Sequence, residues 1–409
     1  MRLNNKTDNK IPKLRFCEFS NEWEEKKLSE IATFSKGKGI SKTDIDHDGK
    51  HKCIRYGELY TEYNEVINRI ISRTNVDKNE SVLCTKGDLL IPSSGETAID
   101  IATASCVNTD KVLLGGDINI VSLQDKNDGH FFAYYLSNFK KKNIARFAQG
   151  ISVIHLYNSN LKDLDLRVPI FEEQQKIAIF LSSVDNWITN LEKQKASLEE
   201  YKKGMMQKIF SREIRFRDEN GNEYPEWEKK KLEKIGLIVT GTTPPTEVDY
   251  YYGGDIPWIT PTDIGKSRDI FTSERMLTQK GLETGRFIKS NSILVTCIAS
   301  IGKNAILRKD GSCNQQINAI TVDNHNNVEF IYYLIEYNQQ ELERFASSGS
   351  LKILNKKDFS SICLLFPKLR EQQKIASFLS SIDNLIESKD KQINKSKKWK
   401  KGLLQRMFI

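Results

Sequence analysis

None of the seven cysteines stands in a C-x-x-C pair. They read as free, mostly buried thiols of a reducing compartment rather than as disulfides. The five histidines are equally isolated; none falls at metal-ligand spacing from a cysteine or glutamate, so no metal site is expected. No run approaches the roughly 20 apolar residues that span a bilayer, and a mean hydropathy of −0.51 fits a protein without a membrane partner. The stretch Met1 to Lys13 is Lys- and Asn-rich without an apolar segment. The expectation is a cytoplasmic chain with no secretory signal.

Catalytic signatures are missing too. An adenine methyltransferase needs Asn or Asp before Pro-Pro and an aromatic after it. The one Pro-Pro here, Thr243-Pro244-Pro245-Thr246, has neither flank. A phosphate loop needs G-x-x-x-x-G-K-[ST], and Gly302-Lys303-Asn304 lacks the first glycine and the hydroxyl. Lys36-Gly37-Lys38-Gly39 lacks the third glycine of a dinucleotide loop. The chain is expected to carry no catalytic site.

What is present is size, positive charge and self-similarity. At 409 residues the chain is too long for one ordinary domain. Lys+Arg exceed Asp+Glu by 62 to 54, a formal charge of +8. That balance suits a polyanion held through counterion release, or equally a solvated Lys-rich surface. The repeat is more telling. Trp23-Glu24-Glu25-Lys26-Lys27-Leu28 returns as Trp227-Glu228-Lys229-Lys230-Lys231-Leu232. Glu173-Gln174-Gln175-Lys176-Ile177-Ala178 returns as Glu371-Gln372-Gln373-Lys374-Ile375-Ala376, with Pro169 and Pro367 four residues ahead. Phe180-Leu181-Ser182-Ser183-Val184-Asp185-Asn186 returns as Phe378-Leu379-Ser380-Ser381-Ile382-Asp383-Asn384. The chain is two copies of one unit, each a variable globular segment followed by a near-constant tail.

Each tail opens on a proline and acidic residues and then runs without another proline, the pattern of a long helix. Ile177, Leu181, Val184, Ile188 and Leu191 step by three and four. Ile375, Leu379, Ile382, Ile386 and Ile393 form the partner seam. Lys195 interrupts the first stripe where the second has Ile393, and Lys389 interrupts the second where the first has Leu191. The two helices are therefore expected to pair with each other, antiparallel, as a coiled-coil-like spacer. A helix of about 38 residues spans roughly 57 Å, more than an ordinary core helix needs. The globular segments carry short β runs (88–92, 118–123, 292–296, 317–322) and one helical stretch each, from Phe131 and from Phe330. The fold class is α+β: two tandem α/β domains separated by two long helices, a pseudo-twofold internal repeat. Boundaries fall at a polar tail 1–15, a first domain 16–168, a central helix 169–211, a linker 212–222, a second domain 223–366 and a final helix 367–409.

The W-E-x-x-K-L opening and the P-x-x-x-E-Q-Q-K-I-A-x-F-L-S-S-x-D helix, recurring at the C-terminus, resemble the specificity subunits of type I restriction–modification systems. Cys53-Ile54-Arg55-Tyr56-Gly57-Glu58 and Ile256-Pro257-Trp258-Ile259-Thr260-Pro261 are similar to a recurring segment of their recognition domains. Ala346-Ser347-Ser348-Gly349-Ser350 resembles their Gly/Ser loop, from which Ala148-Gln149-Gly150-Ile151-Ser152 departs. The resemblance implies two target recognition domains, each reading one half of a bipartite, asymmetric double-stranded DNA site, with the helices setting the spacing. It implies two modification subunits that supply S-adenosylmethionine-dependent adenine methylation, and motor–nuclease subunits that use ATP and Mg. No cofactor is expected on this chain.

Base edges are read by Arg, Lys, Asn, Gln and Ser/Thr on loops, while phosphates take Lys, Ser/Thr and backbone N–H groups. The first domain offers Lys36, Lys38, Arg55, Tyr56, Ser93, Ser94, Thr97, Gln149, Ser152 and His155. The second offers Thr242, Thr243, Trp258, Thr260, Ser300, Lys303, Ser348, Ser350 and Lys352. For each one a structural role competes: the aromatics suit a core, and Thr242–Thr243 suit a plain turn. The Lys-rich stretch 389–401 with Trp399 suits a solvated face that binds the modification subunit, or DNA between the half-sites. Two other readings stay open at this point, a stand-alone DNA-binding regulator and a methyltransferase with a divergent motif.

Overall fold

The recurring E-Q-Q motif earns its place in the packing of the chain, described in a computed structural model for residues 11–347 and 352–409. Pro169 and Pro367 are followed by two long helices, α1 (Phe171–Phe210) and α2 (Leu369–Met407), of 40 and 39 residues. Acidic side chains in their first turns favour the positive helix end. The motif then ties each helix to a globular body. Glu173, fully buried, accepts two bonds from the Arg15 guanidinium at 2.8 and 2.7 Å. Glu371 accepts from Arg215 at 3.3 and 3.0 Å. Gln174 donates to the Pro169 carbonyl and accepts from the Asp128 backbone N–H, both at 2.9 Å. Gln372 does the same with Pro367 and Asn327. Charge-assisted, bidentate pairs are the strong hydrogen bonds of proteins, which suits a fixed joint.

The chain divides into two units. Unit 1 is Met1–Glu192 with Lys391–Ile409, and unit 2 is Lys193–Asp390. The bodies therefore cut across the linear order: each takes one end of α1 and one end of α2.

In unit 1 a five-stranded sheet runs Ala32–Lys36, Ile118–Leu123, Leu89–Pro92, Ser105–Val107, Val66–Ile67, antiparallel except at the last pair. A four-stranded sheet runs Ser72–Thr74, His51–Ile54, Leu113–Leu114, Val82–Leu83. Strand Glu24–Lys27 pairs with Asp165–Val168. The helical stretch expected from Phe131 begins at Gly129, capped by Asp128, and widens into a π turn over Tyr135–Phe139. Its Phe131 and Tyr135 pack around buried Trp23 with Phe408, the residue after α2, ring centroids 5.3 to 6.5 Å apart. Aromatic pairs of this kind contribute about 0.5–1.5 kcal/mol each beyond burial.

Unit 2 repeats the plan. Its five strands run Gly236–Thr240, Ile317–Val322, Ser292–Thr296, Asn304–Leu307, Asp269–Ile270. A second sheet runs Met276–Leu277, Tyr252–Ile259, Ser312–Cys313. Phe210 of α1 takes the place of Phe408, packing on Trp227, Phe330 and Tyr337 at 6.2, 5.8 and 5.1 Å.

The helices pair antiparallel in both units. In unit 1, Lys397 meets Glu192 at 2.6 Å, and the Trp187 and Trp399 rings lie 6.4 Å apart. In unit 2, Lys195 meets Asp390 at 2.6 Å, so the interruption in the first stripe is answered by a carboxylate. The seam is more than a spacer surface. Ile177, Leu181, Val184 and Ile188 belong to the core of unit 1, and Ile375, Leu379, Ile382 and half-buried Ile386 to that of unit 2. Leu191 and Ile393 are buried outside both cores. All of each stripe but its last residue is thus ordinary core, because the globular bodies themselves cover the helices there.

Candidate nucleic-acid interface

Sheet topology gathers most of the polar loops named above at one end of each domain. In unit 1 the C-terminal ends of Ala32–Lys36, His51–Ile54, Leu89–Pro92 and Leu113–Leu114 converge on the start of Ile118–Leu123. The Gly37 N–H donates to the Ile118 carbonyl and the Lys38 N–H to the Leu114 carbonyl, both at 2.9 Å. A Cβ on Gly37 would lie 2.1 Å from the Gly115 carbonyl oxygen, so only glycine lets the loop pass this closely. Lys36 and Lys38 are left exposed on either side. Arg55 is half-buried, its Nε donating at 2.9 Å to buried Glu58, which also accepts from Ser72 at 2.7 Å. A guanidinium held by a carboxylate is oriented before any ligand arrives. Tyr56 is half-buried against the neighbouring core.

Strand Ile154–His155 pairs with Ser94–Gly95, which brings the loop 149–155 to the same end. Gln149 and His155 exchange backbone bonds at 2.9 and 2.7 Å, and Gln149 and Ser152 are exposed. His155 shares a 3.1 Å bond with Ser94 and stacks on Tyr157. Thr97 caps a short helix, accepting from the Asp100 N–H.

Unit 2 builds the same end from other side chains. Gly241 replaces Gly37, donating to the Ile317 carbonyl at 3.0 Å. Thr260 stands where unit 1 has Arg55, its hydroxyl and N–H both bonded to Asp263. Thr242 accepts from the Arg286 N–H, and exposed Thr243 donates to Gln315. Half-buried Ser300 and exposed Lys303 and Lys352 flank the end of Ser292–Thr296. Ser348 and Ser350 lie outside the described residues.

Three candidates belong to the interior. Ser93 and Ser94 are buried where their strand turns back into the sheet. Trp258 is buried with its indole N–H donating to the Thr242 carbonyl at 3.0 Å, and Arg275 covers its ring at 5.5 Å. A side chain so enclosed shapes the loop end and leaves no edge for a base. Among residues that the sequence reading passed over, Gln315 and Gln316 occupy the turn at this end; Asn314 at its start donates its N–H to the Ile259 carbonyl at 2.9 Å. Their unit 1 counterparts are Gly116 and Asp117. Asn119 and Asn318, both fully buried, donate their side-chain amides to the carbonyls of Leu156 and Leu354 and anchor the loop to the sheet. Adjacent glutamines before a strand were the available signal for the first pair; an asparagine inside an apolar strand was the signal for the second.

Burial pushes the phenols of Tyr134 and Tyr333 up, reinforced by Asp185 and Asp383. Both stay protonated and donate to those carboxylates at 2.6 and 2.5 Å, holding the helical stretch of each domain against α1 or α2. Among the described residues no group of three or more His, Cys, Asp or Glu could hold a metal ion, and no helix is long and apolar enough to cross a membrane.

Comparison with known proteins converges on one family. The chain is 25% identical over 409 residues to the MjaVIII type I restriction enzyme specificity subunit of Methanocaldococcus jannaschii, covering 94% of this chain and 91% of that one. It is 33% identical over 207 residues to the MjaIX specificity subunit of the same organism, covering 49% and 48%. The solved S subunit of a type I restriction–modification system from M. genitalium has this fold, with a TM-score of 0.64 at 18% identity over 98% of this chain and 99% of that one. The model of the type I restriction modification DNA specificity domain matches residues 20–200 and again 224–397. Two copies of that domain account for most of the sequence, and the chain belongs to the family of type I restriction–modification DNA specificity proteins.

Proposed function

We propose that the chain is the DNA-reading specificity subunit of a type I restriction–modification complex, each unit reading one half of a bipartite, asymmetric site. One observation carries this reading: the same strand-end scaffold is built twice and dressed with different side chains. Lys36, Lys38, Arg55, Gln149 and His155 stand at one end; Thr243, Thr260, Gln315, Lys303 and Lys352 stand at the other. Lysines on glycine-bearing loops suit phosphates, and Arg, Gln and Thr suit base edges. Two different sets on one scaffold suit two different half-sites.

The chain performs no bond-making step. Its residues bind, orient and exclude. S-adenosylmethionine, ATP and Mg belong to two modification subunits and to motor–nuclease subunits, the former docking along α1 and α2 and the whole complex working on DNA in the cytoplasm. The helices set the distance between half-sites.

Sequencing of methylated positions in host DNA, with and without this gene, tests the reading. A bipartite motif that vanishes with the gene supports it. Gln315→Ala with Gln316→Ala should then relax one half-site and leave the other intact. Methylation that persists unchanged without the gene, with the isolated chain binding its site as a free monomer, would place it among stand-alone regulators.

A further inference from the structure

The two units seat their recognition domains on the same pair of helix residues but answer that pair differently. In unit 1 the Lys400 ammonium of α2 lies 2.7 Å from Asp185 of α1 and 3.2 Å from Glu65, over the Tyr134 ring at 5.3 Å. In unit 2 the equivalent Lys202 of α1 lies 2.9 Å from Asp383 of α2 and 3.3 Å from Glu336, over the Tyr333 ring at 5.1 Å. The helices thus offer one lysine and one aspartate each time.

What the domains return is not the same. Strand register equates Glu65 with Arg268, since each precedes a parallel edge strand and accepts a backbone bond from the next strand, from Cys106 and Ile306 respectively. Val66 then corresponds to Asp269, and, counting from the paired tyrosines, Ser137 corresponds to Glu336. Arg268 donates to the hydroxyls of Tyr333 and Ser380 at 3.0 and 2.9 Å, pairs with Asp269 at 2.8 Å and stands 3.7 Å from Asp383. Ser137 faces away, bonded to the Ala104 backbone.

The charge is nevertheless equal. Glu65, Val66 and Ser137 bring one carboxylate; Arg268, Asp269 and Glu336 bring one cation and two carboxylates, while Arg308, which donates to Asp269 at 2.5 Å, is answered by Glu329 at 2.8 Å and so adds no net charge. Each domain therefore presents one net negative charge to a neutral Lys–Asp pair. These groups are partly or largely shielded from water, where an uncompensated charge is heavily penalised. Burial alone would raise the Glu65 carboxyl, but Lys400 and the Asn138 amide outweigh it and hold the group below the ordinary glutamate range.

We propose that this junction is a charge-matched socket that fixes how each recognition domain sits on the helix pair. It takes a domain presenting a tyrosine hydroxyl and one net negative charge, in either the Glu65 or the Arg268–Asp269–Glu336 arrangement. The residues are positioning residues, acting through the helices and not on DNA. A foreign recognition domain grafted onto these helices must bring one complete set, because a mixed set leaves a charge unanswered.

The full-length chain tests this. Arg268→Glu crowds the lysine with carboxylates, and the triple change Arg268→Glu, Asp269→Val, Glu336→Ser writes the unit 1 set into unit 2. Amide exchange over Val328–Tyr337 should rise about 100-fold in the single variant. It should return to within about fivefold of the parent in the triple variant, an interaction far outside additivity. Spin labels at Lys289→Cys and Ser381→Cys, with Cys17 and Cys363 replaced by Ser, should give a distance distribution that broadens and then narrows in the same order. Should Arg268→Glu prevent folding, Arg268→Met with and without Glu336→Ser asks the same question more gently. A triple or paired variant no better than its single parent overturns the socket, as does a single variant that changes neither readout. None of these measurements involves DNA, so their failure leaves the recognition reading untouched.

Discussion

Deleting Gly402–Ile409 should unfold unit 1 and spare unit 2, although the deleted residues lie about two hundred positions beyond Glu192, where the first stretch of unit 1 ends. Leu403, Leu404, Met407 and Phe408 are 7, 7, 3 and 2% exposed and belong to the core that holds Trp23 and Phe131. Truncating a buried Leu or Met to Ala costs about 2–5 kcal/mol and a Phe about 3–5, so the four together cost about 9–20 kcal/mol. A domain's whole stability is about 5–15 kcal/mol. Two further bonds go with them: the Tyr135 hydroxyl to the Ile409 carbonyl at 2.8 Å, and the Leu14 N–H to the Arg406 carbonyl at 2.9 Å. Hydrogen exchange read by mass spectrometry separates the units. Peptides over Leu89–Pro92 and Ile118–Leu123 should exchange at unfolded rates, while Ser292–Thr296 and Ile317–Val322 stay protected. Full protection of the first pair after deletion would refute the argument, because the tail would then not be core. Phe408→Ala should weaken unit 1 alone by about 3–5 kcal/mol, and Phe210→Ala unit 2 alone by the same amount.

Lys36→Ala, Lys38→Ala, Lys303→Ala and Lys352→Ala should each lower affinity for all DNA sequences and reduce the salt slope by about one; a changed sequence preference at constant slope would make that lysine a base reader. Residues 1–211 alone should form a homodimer, since Met205, Met206, Ile209 and Phe210 of a second copy stand at the repeat positions of Leu403, Leu404, Met407 and Phe408; a folded monomer in light scattering would contradict this. Glu65 has its folded pKa depressed, so its contribution is complete above the ordinary glutamate value of about 4.3 and is lost as pH falls below it. The melting midpoint of unit 1 should therefore fall more steeply on acidification than in Glu65→Gln, and equal slopes would rule out the pairing with Lys400.

Periodicity was legible where the physics is local. The three–four stepping from Ile177 to Leu191 and the four β runs around Leu90, Ile120, Leu294 and Ile320 each report a face buried along its own element. Repeat arithmetic supplied the tandem plan. The role of the E-Q-Q motif was not readable, because Arg15 and Glu173 stand 158 positions apart and nothing local links them. Nor could spacing separate Trp258, enclosed with its indole bonded, from Arg55, which is held at the strand end: both follow the same β pattern, and only the packed neighbours tell core from surface. The stripe on α1 reads identically whether a second helix or a globular body covers it. That is why most of it proved to be core while its stepping proved correct.

Because unit 1 borrows Lys391–Ile409, its completion waits on the ribosome. At about 5–20 residues per second, the roughly 220 residues after Glu192 take on the order of 10–45 s to appear. All of unit 2 is contiguous, so it can close while the first-made half still shows Trp23, Phe131 and Tyr135, the rings that Phe408 covers, to its surroundings. A straight helix cannot fold back over its own beginning. Within that interval the surface that fits these rings is residues 193–210 of a neighbouring nascent chain on the same message. The unit begun first is thus the last to have all its residues, and translation sets that interval.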